Sequence, residues 1–575
     1  MQYPNLRAPA SKRQTLDIFK GYNHNLRIGD GEFYDMKNLT AEGYPLLMPR
    51  GKRGLYATAQ APTGLIAKDA LCYTDGRYFV INEHRIDMGL NEEPKQLVSM
   101  GAYVIILPDK KYISTIDHSD RGNLEAEFTT AGETVFTLCT EEGADYILDH
   151  PASAYAPEAP ADQALWLDTS TTPHSLKQWS EASGLWVSIA TTYVRIRHKG
   201  IGAAFSQYDG VSLSGLGDTA LASLEGAAVI WQKGEDYIVI TGILDEAVTV
   251  AAPITVSRKM PLMDFVIESE NRLWGCRYGP SSDGKVVNEI YASKLGDFKN
   301  WNCFMGISTD SYAASLGTDG QFTGAITHLG YPLFFKENYI HKVYGSQPSN
   351  FQMQTTACRG VEKGSEKSLA LVNETLFYKA PSGIVAYDGS LPREVSRALG
   401  PVSYHSAVAG SLGNCYYVSM AREGQRHLFV YDTARGLWHR QDDLQVDAFC
   451  PCRGELYALC GNEIWGLKGD GEPEAAVSWM AETGPLGLSL PDMKYVSRLT
   501  VRLMLEPGAR CSFYAQYEGE SAWEPLFSLT GTHLRSFSIP IRPRRCDHMK
   551  LRLEGQGVAK LYSLTKTIEE GSERS

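Results

Sequence analysis

No stretch of this 575-residue sequence approaches the ~20 consecutive apolar residues that a membrane-spanning helix needs. The opening MQYPNLRAPASKRQTLDIF has no apolar core of secretory-leader length, so the expectation is a soluble chain made in the cytoplasm with no membrane span. An excess of positive charge is also missing. The net charge of −12 argues against a nucleic-acid coat and against an anionic membrane surface. Convincing amphipathic helices are absent, and SLKQWSEAS at 175–183 is the best short candidate.

The motifs of several chemistries are missing too. GxxxxGK[ST], HExxH and GxSxG do not occur, so neither a phosphate-cradling loop, a zincin site nor a nucleophile elbow is indicated. The thirteen histidines do not pair at metal-ligand spacing; His150, His341 and His439 stand alone. Eleven cysteines are scattered and odd in number, with Cys276, Cys415 and Cys460 inside strand-like runs, which reads as buried reduced thiols. The close pair Cys450-Pro451-Cys452 has neither a second pair nor a nearby His to complete a zinc site. No metal and no cofactor is expected.

What is present is a recurrence of short aromatic and β-branched runs separated by Gly, Asp, Asn and Ser. Residues 265–304 show it best, with FVI, RLWGCRY and EIYAS divided by ESEN, GPSSDGK and LGDFKNW. Such runs are too short for helices and read as antiparallel strands joined by turns. Aromatic centres follow at Trp274, Phe334-Phe335, Phe377-Tyr378, Tyr416-Tyr417 and Tyr457, the last four about forty residues apart. That period, with about four strands per unit, predicts an all-β chain built on a β-propeller of about seven blades. Separate β-sandwiches would need no period.

Five segments are expected. Residues 1–60 form an N-terminal arm, and 61–117 the first propeller blades, with hairpin turns at Thr74-Asp75-Gly76 and Pro108-Asp109-Lys110-Lys111. Residues 118–254 form an inserted, mostly β module entered through the Pro/Ala-rich HPASAYAPEAPADQA. Residues 255–471 supply the remaining blades. Residues 472–575 form a C-terminal β-sandwich of long alternating strands, including VSRLTVRLMLE and ARCSFYAQYEG.

A glycosidase needs two carboxylates flanking a sugar bond. Asp264, Glu268, Glu270, Glu289, Asp432 and Glu463 are candidates, although acids are also the ordinary occupants of blade turns. The segment from Tyr431 to Trp438 only approximates the SxDxGxxW turn of sialidase-type propellers. In the last segment Arg542, Arg544, Arg545 and Arg552, with Lys550, form a basic cluster. It reads either as a charged guard on an edge strand or as a contact for an acidic partner surface.

The arm YDMKNLTAEGYPLLMPRGKRGLY, the repeated aromatic strands and NEIYASKLGDFKNW together resemble the propeller proteins of the phage head-to-tail junction. These are the tail-hub or packaged-DNA stabilisation proteins of short-tailed phages and prophages. Asn38, Pro49 and Arg50-Gly51 match the family's arm, and Tyr291, Ser293, Gly296, Asp297 and Trp301 match its blade ending. The insert and the C-terminal segment depart from the pattern. The resemblance implies a non-enzymatic virion protein of the tail and neck, assembled in the host cytoplasm. Such a protein forms a homo-oligomeric ring below the portal and adaptor, extends the DNA channel, helps retain the genome and anchors fibre, spike or needle proteins. Packaged DNA would pass through without sequence-specific binding, which an acidic lumen would suit. The alternative is a carbohydrate-binding or carbohydrate-degrading propeller, with Trp166, Trp179 and Trp186 facing sugar.

Overall fold

The computed structural model describes residues 11–146, 150–217, 221–281, 284–487, 493–518 and 520–570. Among the described residues strand follows strand, interrupted only by short 3-10 turns. Seven antiparallel sheets form the blades of a propeller. Six are single-run meanders at 62–87, 96–123, 265–315, 322–357, 370–394 and 405–440. The seventh takes its first three strands from 448–466 and its fourth, Gly54–Thr58, from the start of the chain. Ile464 pairs with Ala57 and Gly466 with Gly54, so the ring is shut by backbone hydrogen bonds between distant segments.

Every junction between neighbouring blades holds its own apolar cluster. Blades 1 and 2 share Phe79 and Val104, blades 3 and 4 share Trp274 and Phe334, and blades 7 and 1 share Leu71 and Ile464. The first strands pack most closely. A Cβ on Gly410 of blade 6 would lie 2.5 Å from Cβ of Phe449 in blade 7, so only glycine fits there.

The arm expected at 1–60 is not a separate lead-in. Ser11–Leu16, Gly21–Tyr22 and Glu32–Lys37 are strands of the same eight-stranded sheet as the C-terminal segment. Ser11 lies opposite Glu569, and Lys37 opposite Met480. The two runs expected as separate strands form one, Lys494–Tyr517. Its first half pairs with Ala559–Glu570 and its second with Met549–Gln556. Between the halves Pro507 and Gly508 break the ladder, where a missing donor and a positive φ tolerate a bend. Val501 and Leu503 of one half and Phe513 and Ala515 of the other then share one core. The sandwich is thus one sheet folded over, completed by N-terminal strands.

That sheet docks on Leu437–Arg440, the outermost strand of blade 6. Tyr22, Phe33, Phe429 and Trp438 make its core continuous with the core between blades 5 and 6. The insert is attached differently. Its cluster, which includes Phe136, Ile196, Val211 and Ile240, contains no blade residue. It runs from Ala126 to Arg258, which face each other across a strand pair. The last strand of blade 2, Arg121–Asn123, lies inside the range expected for the insert. Ser175–Ser180, the helix candidate, is a strand, with Leu176 buried beneath it and Lys177 on its other face. Alternation of burial, set by the tertiary context, overrides the local helix pattern.

The insert leaves between blades 2 and 3, and the folded sheet sits on blade 6. In a seven-blade ring these attachments are half the circumference apart. Because the ends of the insert are paired and its core is its own, excision of 126–258 with a short linker should leave the propeller's thermal midpoint within about 3 °C. Trp438→Ala should instead cost about 3–5 kcal/mol, since it opens the shared core. Urea and thermal unfolding of both variants check this; unfolding of the excised protein at room temperature would contradict it.

Candidate functional site

The arm residues of the family resemblance converge on one buried polar clasp. Asn38 takes a left-handed conformation, φ +54°, which asparagine tolerates. Its carbonyl accepts the Arg50 N–H at 2.9 Å, its side-chain amide donates to the Ser478 carbonyl at 2.8 Å, and its Oδ1 accepts from Arg50 Nε at 2.8 Å. Arg50 also pairs with Glu474 and, at 3.4 Å, with Asp442. Arg53 reaches Asp442 at 2.7 Å and Gln441 at 2.9 Å. Both arginines are buried. The clasp joins the start of the chain, the exit of blade 6 and the link from the propeller to the folded sheet. Burial pushes the Asp442 carboxyl up, but Arg53 and Arg50 outweigh it and hold it below the usual carboxylate range. At Glu474 burial is likewise outweighed by Arg50 and the Arg53 N–H.

The matched blade-3 residues build a wedge. Ser293 Oγ accepts the Leu273 N–H at 3.0 Å, and Gly296, at φ +74°, donates its N–H to the Asn271 carbonyl at 2.8 Å. Asp297 Oδ1 accepts the Lys299 N–H at 2.9 Å. The loop so fixed drives Trp301 into the core between blades 2 and 3 beside Tyr112 and Leu124. The neighbouring Asn300 accepts from the Gly210 N–H at 2.8 Å and donates to Asp209 at 3.0 Å, and Asp209 pairs with Arg258. The loop therefore anchors the insert by buried polar contacts.

The carboxylates considered for sugar chemistry are distributed over blades 3, 6 and 7. Glu268 Oε1 accepts the Asn271 N–H at 2.9 Å, Glu270 stands in the same turn at φ +51°, and Glu463 accepts from Trp465 Nε1 at 2.9 Å. Asp432 accepts the Ala434 N–H at 3.0 Å and pairs with Arg435 at 2.6 Å. Asp264 and Glu289 both act on Tyr291. Burial, then the Glu289 hydrogen bond at 2.5 Å, pushes that phenol up. Arg277 pairs with Asp264 at 2.6 Å, so the group is an ion-paired network rather than an acid and a base facing a gap. Surface cavities of about 400 and 340 Å³ lie on the folded sheet, by Lys37, Arg510 and Glu554, and between blades 5 and 6, by Lys379, Glu394 and Tyr404. None of the six candidate acids lines these two, whereas Asp264 borders a cavity of about 240 Å³ beside Met260 and Leu262 and Glu270 one of about 20 Å³ beside Arg272 and Trp274, so none of these cavities brings two of them together.

Two of the lone histidines, His341 and His439, are buried within blades 4 and 6. His341 bridges Thr318 and Thr355 at 3.0 and 2.9 Å, and burial lowers both His341 and His439 to about 4. Burial raises the Cys276 and Cys450 thiols, consistent with inert buried cysteines. One grouping escaped the sequence reading: Glu518, Asp547 and His548 bring ligand-type atoms within 4.8 Å of one another. Spacing could not reveal it, because the folded sheet supplies the approach. Its members already bond internally, with the Asp547 N–H on Glu518 at 2.6 Å and His548 Nδ1 2.9 Å from Asp547.

The basic cluster is divided. Arg542, Arg544 and Arg545 lie on the exposed loop after Glu524–Ile539, whereas Arg552 is in Met549–Gln556. Arg544 pairs with Glu520 at 2.5 Å and Glu524 at 3.5 Å, and Arg552 pairs with Glu482 at 2.8 Å and covers the Trp523 ring. Trp166, Trp179 and Trp186 share one face of the small sheet at 152–188.

No family model and no curated protein matches the chain. Among solved structures it is similar to an exo-β-1,3-galactanase from Phanerochaete chrysosporium, at 8% identity and TM-score 0.22 over 52% of this chain and 94% of that one. It is also similar to an acylaminoacyl peptidase from Pyrococcus horikoshii, at 10% and 0.26 over 52% and 49%. A third is PorZ, a surface component of the type-IX secretion system of Porphyromonas gingivalis, at 12% and 0.26 over 88% and 82%. At these scores the similarities carry no functional argument.

The pH dependence of stability follows from these groups. The two histidines titrate lower when folded, so their contribution is complete above the unfolded value of ~6.5 and is lost as pH falls toward 4. The clasp carboxylates are also lowered, so their contribution is complete above ~4 and is lost below it. Urea midpoints should therefore fall in two stages on acidification. Asp442→Asn should cost about 3 kcal/mol at pH 7 by leaving buried arginine charge unbalanced, and should flatten only the second stage. An unchanged acid limb would remove the clasp from this account.

Proposed function

We propose that this chain is a non-enzymatic structural subunit of a phage head-to-tail junction, a tail-hub ring component. The observation that carries the ring is an uneven charge distribution across a rigid toroid. Residues 126–258 contain seventeen Asp and Glu against six Lys and Arg, nearly the whole net charge of the chain. Residues 476–575 contain thirteen Lys and Arg against eleven Asp and Glu, with Arg542, Arg544 and Arg545 exposed on one loop. These two bodies lie half a ring apart. A strongly acidic body on one side and a near-neutral body with an exposed arginine loop on the other favour head-to-tail docking, and heterologous contacts of that kind close into rings where the rotation between copies allows it. The matched motif residues support the same reading, since they lock the propeller and anchor the insert instead of lining a cleft. In this role the closed ring of copies, rather than the single propeller, extends the DNA channel below portal and adaptor, and the outward bodies offer footing for fibre, spike or needle proteins.

Light scattering and negative-stain imaging of the purified chain across a salt series test the proposal. Rings are expected at low salt, with association weakening as ionic strength rises and the Debye length shrinks from ~10 Å at 0.1 M to ~3 Å at 1 M. Charge reversal at Arg542, Arg544 and Arg545 should weaken assembly at least tenfold and leave the thermal midpoint in place. A monomer at every salt concentration, or release of reducing ends from polysaccharide by the pure protein, would overturn the reading.

A further inference from the structure

The insert carries an aromatic face on its small sheet at 152–188. In the sheet at 152–188, Leu167 and Leu176 are fully buried against Leu138 and Ile243 of the insert's larger sheet. Strand alternation therefore turns Trp166, Asp168, Lys177, Trp179, Trp186 and Ser188 to the opposite, outward side. Trp179 and Trp186 are a cross-strand pair, ring centroids 5.5 Å apart, and Trp166 adjoins Trp186 at 5.4 Å. Trp166 is pinned, its Nε1 donating to the Ser153 carbonyl at 3.0 Å, with the Lys177 ammonium 5.0 Å from its ring. Lys177 is itself fixed by Asp168 at 2.8 Å. Trp179 and Trp186 remain partly exposed. Trp166 is only 5% exposed, so the solvent-facing part is the pair Trp179 and Trp186, backed by the pinned Trp166 and edged by one ion pair and a hydroxyl.

We propose that this face binds a neutral polysaccharide. On this face the solvent-facing positions hold Trp179 and Trp186 with charged or polar residues and no aliphatic side chain, whereas the exposed Leu185 and Val187 lie on the reverse face of the edge strand. A protein interface core or a lipid surface would recruit aliphatic residues as well. Indole faces with a few oriented polar groups suit the C–H faces and hydroxyls of sugar rings. Nucleic acid also stacks on aromatic rings but requires a basic groove, whereas the insert has seventeen acidic residues against six basic. The same field repels anionic glycans, which leaves neutral hexose polymers. An open sheet face, rather than an enclosed pocket, favours a chain of sugars over a single one. The proposal does not depend on ring formation.

Affinity electrophoresis of the full chain in gels containing laminarin, hydroxyethylcellulose, galactomannan or dextran, with polygalacturonate and single-stranded DNA as anionic probes, tests it. Retardation by at least one neutral polymer and by neither anionic probe is expected. Trp179→Ala and Trp186→Ala should each weaken it about tenfold, the effect of losing one buried aromatic contact of ~1.4 kcal/mol. Trp186→Tyr should keep most of it, and thermal unfolding of each variant separates lost binding from lost folding. No retardation by any neutral polymer, retardation unchanged in the double Trp179→Ala, Trp186→Ala variant, or stronger retardation by an anionic probe would overturn the proposal. So would a double variant that changes the oligomeric mass and leaves retardation intact, since the face would then cover another copy.

Discussion

Closure of the ring is the constraint on which the rest depends. A propeller has no covalent join, so its first and last blades must be held by pairing between segments far apart in sequence. Here Gly54–Thr58 lies against Glu463–Gly466. The clasp of Asn38, Arg50, Arg53, Asp442 and Glu474 then fixes the strand that enters that blade. Buried guanidinium groups are stabilising only when every partner is present. The clasp sets carboxylates on both sides and leaves only Arg53 Nε of the two guanidinium groups without a hydrogen bond, and so ties closure of the ring to correct placement of the folded sheet.

The two outward bodies illustrate different ways of carrying a domain on a toroid. The folded sheet shares one continuous core with blades 5 and 6 through Tyr22, Phe429 and Trp438. It cannot move without breaking apolar packing. The insert keeps its own core and is held at its root by Asp209, Arg258 and Asn300. An attachment made of directional polar contacts fixes orientation while leaving the two cores energetically separate. Such a body can diverge in surface character without disturbing the ring, which fits its concentration of acid and its tryptophan face.

Much of the fold was legible because blades are local. Each is a meander whose strands are neighbours in sequence, so aromatic centres at Trp274, Phe334, Phe377 and Tyr416 with turn residues between them were enough to see the period and the blade number. Non-local features were not. Nothing near Ser11 announces that its partner is Glu569, and the strand closing blade 7 looks like any other short apolar run. The Pro507-Gly508 break reads as a turn between two strands but is a bend within one. At 175–183 the local pattern favoured a helix, yet burial of Leu167 and Leu176 on one side imposed alternation. The motif residues of the arm and of blade 3 were visible, while their structural roles needed the distant partners Gln441, Glu474 and Asp209. The triad of Glu518, Asp547 and His548 depends on the folding of the sheet and left no trace in spacing.

The pairing of Ser11–Leu16 and Gly54–Thr58 with strands near the other end of the chain has a consequence for synthesis. A ribosome delivers the opening strands long before their partners exist. Blades 1 to 6 can form as they emerge, but the toroid stays open until residues 463–466 have been made, and Ser11–Leu16 waits for residues 564–569. Chains that stop before residue 448 would therefore display unsatisfied strand edges and lack the outer sheet, so that ring closure and the outer sheet are the last features to form.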